Sequence, residues 1–176
     1  MESKFNYKNF SIVIPIYNEE EIIEESTNAI HALCNRTGLN FEIIFSENGS
    51  TDNTKEIAEK LIKEYPEIKI ISNPNPNYGS ALKAGFELAK NDLVISFDID
   101  YYSESFLREA LMLNSEYSSI TASKRLGSSE DGRRFVRRLA TNFFVILLKT
   151  FFGTKLSDTH GMKAIKKTEI EKFLPQ

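Results

Sequence analysis

The feature that most constrains this chain is a repeated alternation. Short β-branched runs are each followed, after a few loop residues, by an amphipathic helical stretch. The runs "FSIVIPI" (Phe10 to Ile16), "FEIIFS", "IKIIS" and "DLVISF" read as four strands, and "SSITAS" as a fifth. Between them lie helical segments: Glu19 to about Asn35, "STDNTKEIAEKLIKEY", "GSALKAGFELAK" and "SESFLREALML". In the second, Ile57, Ala58, Leu61 and Ile62 recur at helical spacing; Ser50 or Thr51 is the expected N-cap, with Asp52 in the first turn. Strands joined through helices by short loops imply an α/β fold with a mostly parallel central sheet covered on both faces, in three layers.

In such sheets ligands bind beyond the carboxyl ends of the strands. Those ends carry Tyr17-Asn18-Glu19, Ser46-Glu47-Asn48, Asn73 and Asp98-Ile99-Asp100. Two aspartates at the end of a buried strand repel each other. In an extended segment, positions i and i+2 face the same side, roughly 6.5–7 Å apart. Carboxylates so placed share a hard divalent cation, Mg2+ or Mn2+, and a diphosphate completes its coordination. The competing reading is a pair of solvated aspartates at a strand-to-helix turn, one of them a cap. The chain has no G-x-x-x-x-G-K-[ST] loop and no G-x-G-x-x-G after the first strand, which argues against a P-loop or a dinucleotide site. In "NYGSALKAGF", Gly79 and Ser80 either face an anion or form an ordinary helix start, with Gly85 a packing position.

The length, 176 residues, suits one domain. A net charge of -3 gives no nucleic-acid signature. Cys34 is the only cysteine, which fits a reducing, cytoplasmic setting and a packing role. The first ten residues lack a signal-peptide pattern, and no apolar run reaches the ~20 residues that span a bilayer. His31 reads as a surface residue in mid-helix; His160 sits in a loop beside Asp158.

Residues 132–152 are unusual. Arg133, Arg134, Arg137 and Arg138 precede the dense apolar run Phe143 to Leu148 and then Phe151-Phe152. This pattern suits an interfacial amphipathic helix, with arginines on lipid or acceptor phosphates and aromatics in the acyl boundary. A core helix or a homodimer face is the alternative.

The motifs "IVIPIYNEE", "ENGSTDNT", "NYGSALKAGF", "SFDID" and "SDTHGMKAIKK", in that order, resemble family 2 glycosyltransferases of the GT-A (Rossmann-like) fold. The branch they are most similar to is the dolichyl-phosphate mannose or glucose synthases, over about residues 10 to 167. The resemblance implies a single GT-A domain over 1–176, without the usual C-terminal segment. It implies inverting, metal-dependent transfer from a UDP- or GDP-sugar to a polyprenyl phosphate at the cytoplasmic face of a membrane. By position, Pro15, Tyr17, Glu19, Ser46 and Asn48 would line the base and ribose pocket. Asp98, Ile99 and Asp100 match the Asp-x-Asp signature that holds metal and donor. Lys124 and Arg125 fall near the donor or acceptor phosphates. Asp158 would be the base if the acceptor were a hydroxyl, as in transfer to a saccharide or protein. A nucleotide-sugar binding module without turnover is the reading from another class. Three departures stand out: Glu47-Asn48-Gly49-Ser50 replaces the usual Asp-Asp-Gly-Ser, the Asp158 motif is one residue shorter, and the chain ends at Gln176.

Overall fold

The computed structural model describes residues 5–74, 76–113, 116–122 and 161–172. Their order is β1 (Asn9–Ile16), α1 (Ile23–Asn35), β2 (Asn40–Glu47), α2 (Thr54–Glu64), β3 (Ile68–Ser72), α3 (Tyr78–Leu88), β4 (Leu93–Ser96), α4 (Glu104–Leu111), β5 (Ser119–Thr121), β6 (Lys163–Lys166) and α5 (Lys167–Glu171). Two compact units are distinguished: residues 1–120 with 162–176, and residues 121–161. Of the second, the described part is Thr121, Ala122 and Gly161, where a Cβ on Gly161 would collide with the Ala122 carbonyl. The predicted helix at 132–152 lies outside the described residues.

The six strands form one sheet in the order β3-β2-β1-β4-β6-β5. β1 pairs in parallel with β2, from Asn9↔Asn40 to Ile16↔Glu47, and with β4, from Ser11↔Val94 to Val13↔Ser96. β2 pairs in parallel with β3. Successive strand residues face opposite sides, and Ile12, Val13 and Ile14 are all fully buried, so β1 is covered on both faces. That is why its sequence is a continuous apolar run rather than an alternating one. From β1 the chain moves to β2 and β3 on one side; β4 docks on the other. The order therefore reverses between β1 and β4, and in open α/β sheets ligands bind in a crevice at the carboxyl ends of the strands at such a point.

β6 is an addition to the expected strands. "KAIK" is short and half lysine, so its sequence carries little strand signal, yet it pairs antiparallel with β4 from Leu93↔Lys166 to Ser96↔Lys163. Ala164, which faces the core, is fully buried. Three other expectations need correction. The first helix begins at Ile23 rather than Glu19; Glu19 and Glu20 are instead tied to the start of α2, as described below. The cap position of α2 is Asn53, not Ser50 or Thr51, whose polar groups bond to Asn18 instead. His31 is not a surface residue: its side chain is 15% exposed, packed against Tyr65 and Phe41, with Nε2 3.3 Å from Glu67. Cys34 is buried within α1, and burial pushes its thiol up to about 12.

α3 crosses β1 and β2 on the face that carries Val13 and Ile44. Its approach depends on Gly85. A Cβ there would overlap Val13 Cγ1 and sit 2.5 Å from Ser46 Oγ. Alanine favours helix by about 1 kcal/mol over glycine, but the strand beneath cannot retreat. Gly85→Ala is expected to lower unfolding free energy by about 2 kcal/mol in urea titrations. Gly79→Ala, whose Cβ would meet only Asn77 Oδ1 at 3.4 Å, is expected to cost nothing.

Candidate active site

At the carboxyl ends of β1 and β2, two loops are bonded to each other. Asn18 adopts φ 54°, a left-handed conformation that asparagine tolerates better than most residues. Its N–H donates to Ser50 Oγ (3.1 Å), and its Oδ1 accepts from Thr51 N–H (2.8 Å). Glu19 N–H donates to Thr54 Oγ1 (2.7 Å) and Glu20 N–H to Asp52 Oδ2 (3.2 Å). In return, Glu20 Oε2 accepts from the N–H (3.0 Å) and Nδ2 (2.7 Å) of Asn53 at the start of α2. Glu47, buried at the end of β2, turns its carboxylate back onto Ser50 N–H at 2.5 Å. Gly49, at φ +77°, lies where a Cβ would press on the Pro74 carbonyl at 3.0 Å, so the position demands glycine.

The start of α3 joins this assembly. Asn48 Oδ1 accepts the backbone N–H of Asn77 (2.7 Å). Asn77 is the N-cap of α3, its side chain accepting Ser80 N–H at 3.0 Å. Ser80 N–H is thus taken up by an ordinary cap. Tyr78, the next residue, donates its hydroxyl to Asp98 Oδ1 at 3.1 Å. Burial, then the charge of Asp98, pushes the Tyr78 phenol well above its ordinary range.

The Asp98-Ile99-Asp100 segment is not extended. Tyr101 N–H donates to the Asp98 carbonyl (3.0 Å), and Asp98 N–H to the Tyr101 carbonyl (3.3 Å). The chain thus reverses tightly, with Ile99 and Asp100 at the corner. Ile99 is 2% exposed and anchors the turn; Asp98 is half-buried and Asp100 exposed. The i, i+2 argument in its extended form does not apply, yet both carboxylates act on the neighbouring loop. The Glu19 carboxyl is raised by burial, and then by the charges of Asp100, Asp52 and Asp98. Asp52 moves the other way: slight burial is outweighed by the hydroxyl and N–H of Thr54 and by Glu20 N–H. Glu19, Asp52, Asp98 and Asp100 therefore gather hard carboxylate oxygens near the carboxyl ends of β1 and β4. Among the described residues, no three His, Cys, Asp or Glu side chains are grouped to hold a metal ion by themselves.

The residues singled out in the sequence fall into three sets. Tyr17, Glu19, Asp98 and Asp100 stand at the carboxyl ends of β1 and β4, with Tyr17 43% exposed. Pro15, half-buried in β1, pairs with Ser46 of β2. Ser46 and Asn48 are buried: Ser46 lies beneath Gly85, and its Oγ is the one buried side-chain polar atom lacking a partner among the described residues. Lys124, Arg125, Arg133, Arg134, Arg137, Arg138, Asp158 and His160 lie outside the described residues. Tyr78, Asp52 and Asn77 join the site without having been expected there. Asn77, three residues before Ser80, has a cap signal in the sequence; a tyrosine on a helix start carries none. A cavity of about 550 Å³ also borders α3, lined by Gly79, Leu82, Phe86, Ile165 and Ile170 among others, but neither aspartate lines it. No helix among the described residues is long and apolar enough to cross a membrane.

Comparison with known proteins identifies the family and the fold. Residues 11–174 match the family model for glycosyl transferase family 2. An undecaprenyl-phosphate 4-deoxy-4-formamido-L-arabinose transferase of Pseudomonas fluorescens (strain Pf0-1) is 28% identical over 167 residues, 93% of this chain and 48% of its own length. The enzyme of that name from Shewanella sediminis (strain HAW-EB3) is 30% identical over 162 residues, 90% of this chain and 48% of its own. The chain thus spans about half the length of these curated relatives. Among solved structures, a mannosyltransferase from Pyrobaculum calidifontis in complex with GDP-Man and Mn2+ superposes with a TM-score of 0.65 at 17% identity, covering 97% of this chain and 47% of that one. Mannosyl-3-phosphoglycerate synthase from Rubrobacter xylanophilus gives 0.67 at 19%, covering 90% and 53%. These likenesses establish the GT-A fold, and the family match over nearly the whole chain establishes the rest of the identification: the chain belongs to glycosyl transferase family 2.

Proposed function

We propose that this chain binds a nucleotide-diphosphate sugar at the β1–β4 crevice and transfers the sugar, with inversion, to a polyprenyl phosphate. The observation that carries the reading is the Asp98–Asp100 turn beside Glu19 at the point where the strand order reverses. It is supported by the names of the relatives, which are undecaprenyl-phosphate sugar transferases. Their acceptor class, rather than dolichyl phosphate, is the one carried over.

The residues present fit a divalent cation. Their donors are carboxylate oxygens, one aspartate is held in a turn and by Tyr78, and the other faces solvent. Asp98 and Asp100 would hold Mg2+ or Mn2+, with phosphate oxygens and water completing the shell. When bound, the cation neutralises the diphosphate so that it can leave. Tyr17 and Pro15 offer surface for the base and ribose. Asn48, its Oδ1 engaged by Asn77, has its amide N–H2 left to donate to a base carbonyl. Ile99 holds the turn from the core side, and Ser46 supports α3 from below.

Lys124 and Arg125 are assigned to the donor or acceptor phosphates. Arg133, Arg134, Arg137 and Arg138 are assigned to an anionic membrane surface on the cytoplasmic side, where the lipid acceptor resides. A phosphate acceptor is already an anion near neutral pH, so attack on the anomeric carbon needs little help from a base; Asp158 would matter only for a hydroxyl acceptor. The test is direct. The chain is incubated with UDP- and GDP-sugars, Mn2+ and undecaprenyl phosphate in detergent, and lipid-linked sugar is sought by mass spectrometry. Formation of a glycosyl undecaprenyl phosphate, with release of the nucleoside diphosphate, is expected. Transfer only to a saccharide hydroxyl, or binding of donor without any transfer, overturns the acceptor assignment.

A further inference from the structure

We propose that Tyr78 is a positioning residue for Asp98, fixing that carboxylate so that its free oxygen is presented to the cation of the donor site. The inference rests on the donor-site reading above and adds a residue and a role to it.

The geometry is specific. Tyr78 is the first residue of α3, and its hydroxyl donates to Asp98 Oδ1 at 3.1 Å across the crevice. The first turn that carries it is itself held. Asn77 N–H bonds to Asn48 Oδ1 (2.7 Å), and Asn77 Oδ1 caps Ser80 N–H (3.0 Å). A continuous set of bonds therefore runs from the end of β2, through the start of α3, to the turn after β4. Asp98 is fixed at its backbone by Tyr101 and at its side chain by Tyr78. A carboxylate has about four lone-pair directions, and this bond occupies one on Oδ1. Rotation of the group would break it, so the remaining directions are set before any ion arrives. Groups that orient metal ligands from behind commonly change metal affinity by about 10–100-fold when removed. Tyr78 is shielded around its bond to Asp98 but 51% exposed overall, and it is not part of the buried core. Its hydroxyl can therefore be deleted with the fold intact.

Tyr78→Phe is compared with wild type by titrating Mn2+ followed by electron paramagnetic resonance of the free ion, and by calorimetry with UDP and GDP, in Mn2+ and in EDTA. The expected result is an about 10-fold loss of Mn2+ affinity, with an unchanged melting temperature and unchanged nucleotide affinity in EDTA. In an Asp98→Asn background, Tyr78→Phe should produce no further loss. Equal Mn2+ affinities, an undiminished effect in the Asp98→Asn background, or a loss in EDTA as large as that in Mn2+ would each overturn the positioning role. If wild type binds neither Mn2+ nor a Mn2+–nucleotide complex, the donor-site reading falls together with the inference. If wild type binds and the variant matches it, only the inference falls.

Discussion

Replacing Asp98 and Asp100 together by asparagine is expected to lower the Mn2+-dependent affinity for GDP or UDP by at least about 100-fold, with little change in melting temperature. Asparagine keeps the shape of each side chain and removes two negative charges from the ion's shell. Each charged interaction removed is worth about 1.5–3 kcal/mol, and two account for the factor. The fold is spared because Asp100 is exposed and the turn is closed by backbone bonds between residues 98 and 101. Calorimetry with and without EDTA separates the metal-dependent part. An affinity in Mn2+ equal to that of wild type would remove the aspartates from the donor site.

Glu42→Ala is expected to destabilise the chain by about 3 kcal/mol. Glu42 lies early in β2, its side chain 8% exposed, and three groups converge on it. Ser11 Oγ and Lys90 N–H donate to Oε1, each at 2.7 Å; Lys69 Nζ donates to Oε2 at 2.6 Å. The carboxylate thereby links β1, β2, β3 and the segment before β4. Burial alone would raise its pKa, but the bonds from Lys69, Ser11 and Lys90 outweigh it and leave the carboxyl below its ordinary range. A group whose folded pKa is depressed adds stability above its unfolded pKa, about 4.3 for glutamate. That contribution is lost as pH falls through the folded value. Denaturant titrations across about pH 3–6 should show wild type losing stability toward acid and Glu42→Gln losing less of it. Parallel pH profiles for the two proteins would show that Glu42 does not titrate in the unfolding transition.

The sheet is legible in the sequence because its code is local. Phe10–Ile16 and Leu93–Phe97 are short, rich in β-branched residues and apolar at nearly every position, the pattern of a strand buried on both faces. The position of the candidate site follows from topology, which alternation implies. What escapes is set by partners distant in sequence. Ser50 and Thr51 have good capping chemistry, but Asn18, more than thirty residues earlier, claims both. Lys163–Lys166 becomes a strand because β4 offers an open edge, not because lysines favour one. His31 has the sequence setting of an exposed helix residue, and Tyr65 and Phe41 close over it from other elements. Two aspartates spaced i, i+2 suggest an extended pair; Ile99, seeking the core, bends them into a turn.

The bonds between the β1 and β2 loops bear on how a nucleotide would be met. Asn18, Glu19 and Glu20 are already tied to Ser50, Thr51, Asp52, Asn53 and Thr54. Loops held in this way have few conformations left to lose. Fixing a free backbone residue costs about 1–2 kcal/mol of entropy, and here most of that cost is met during folding. Capture of the base should thus behave as docking onto a rigid surface. The heat-capacity change on binding should track only the apolar area covered, without the larger negative value that accompanies a segment folding around its ligand.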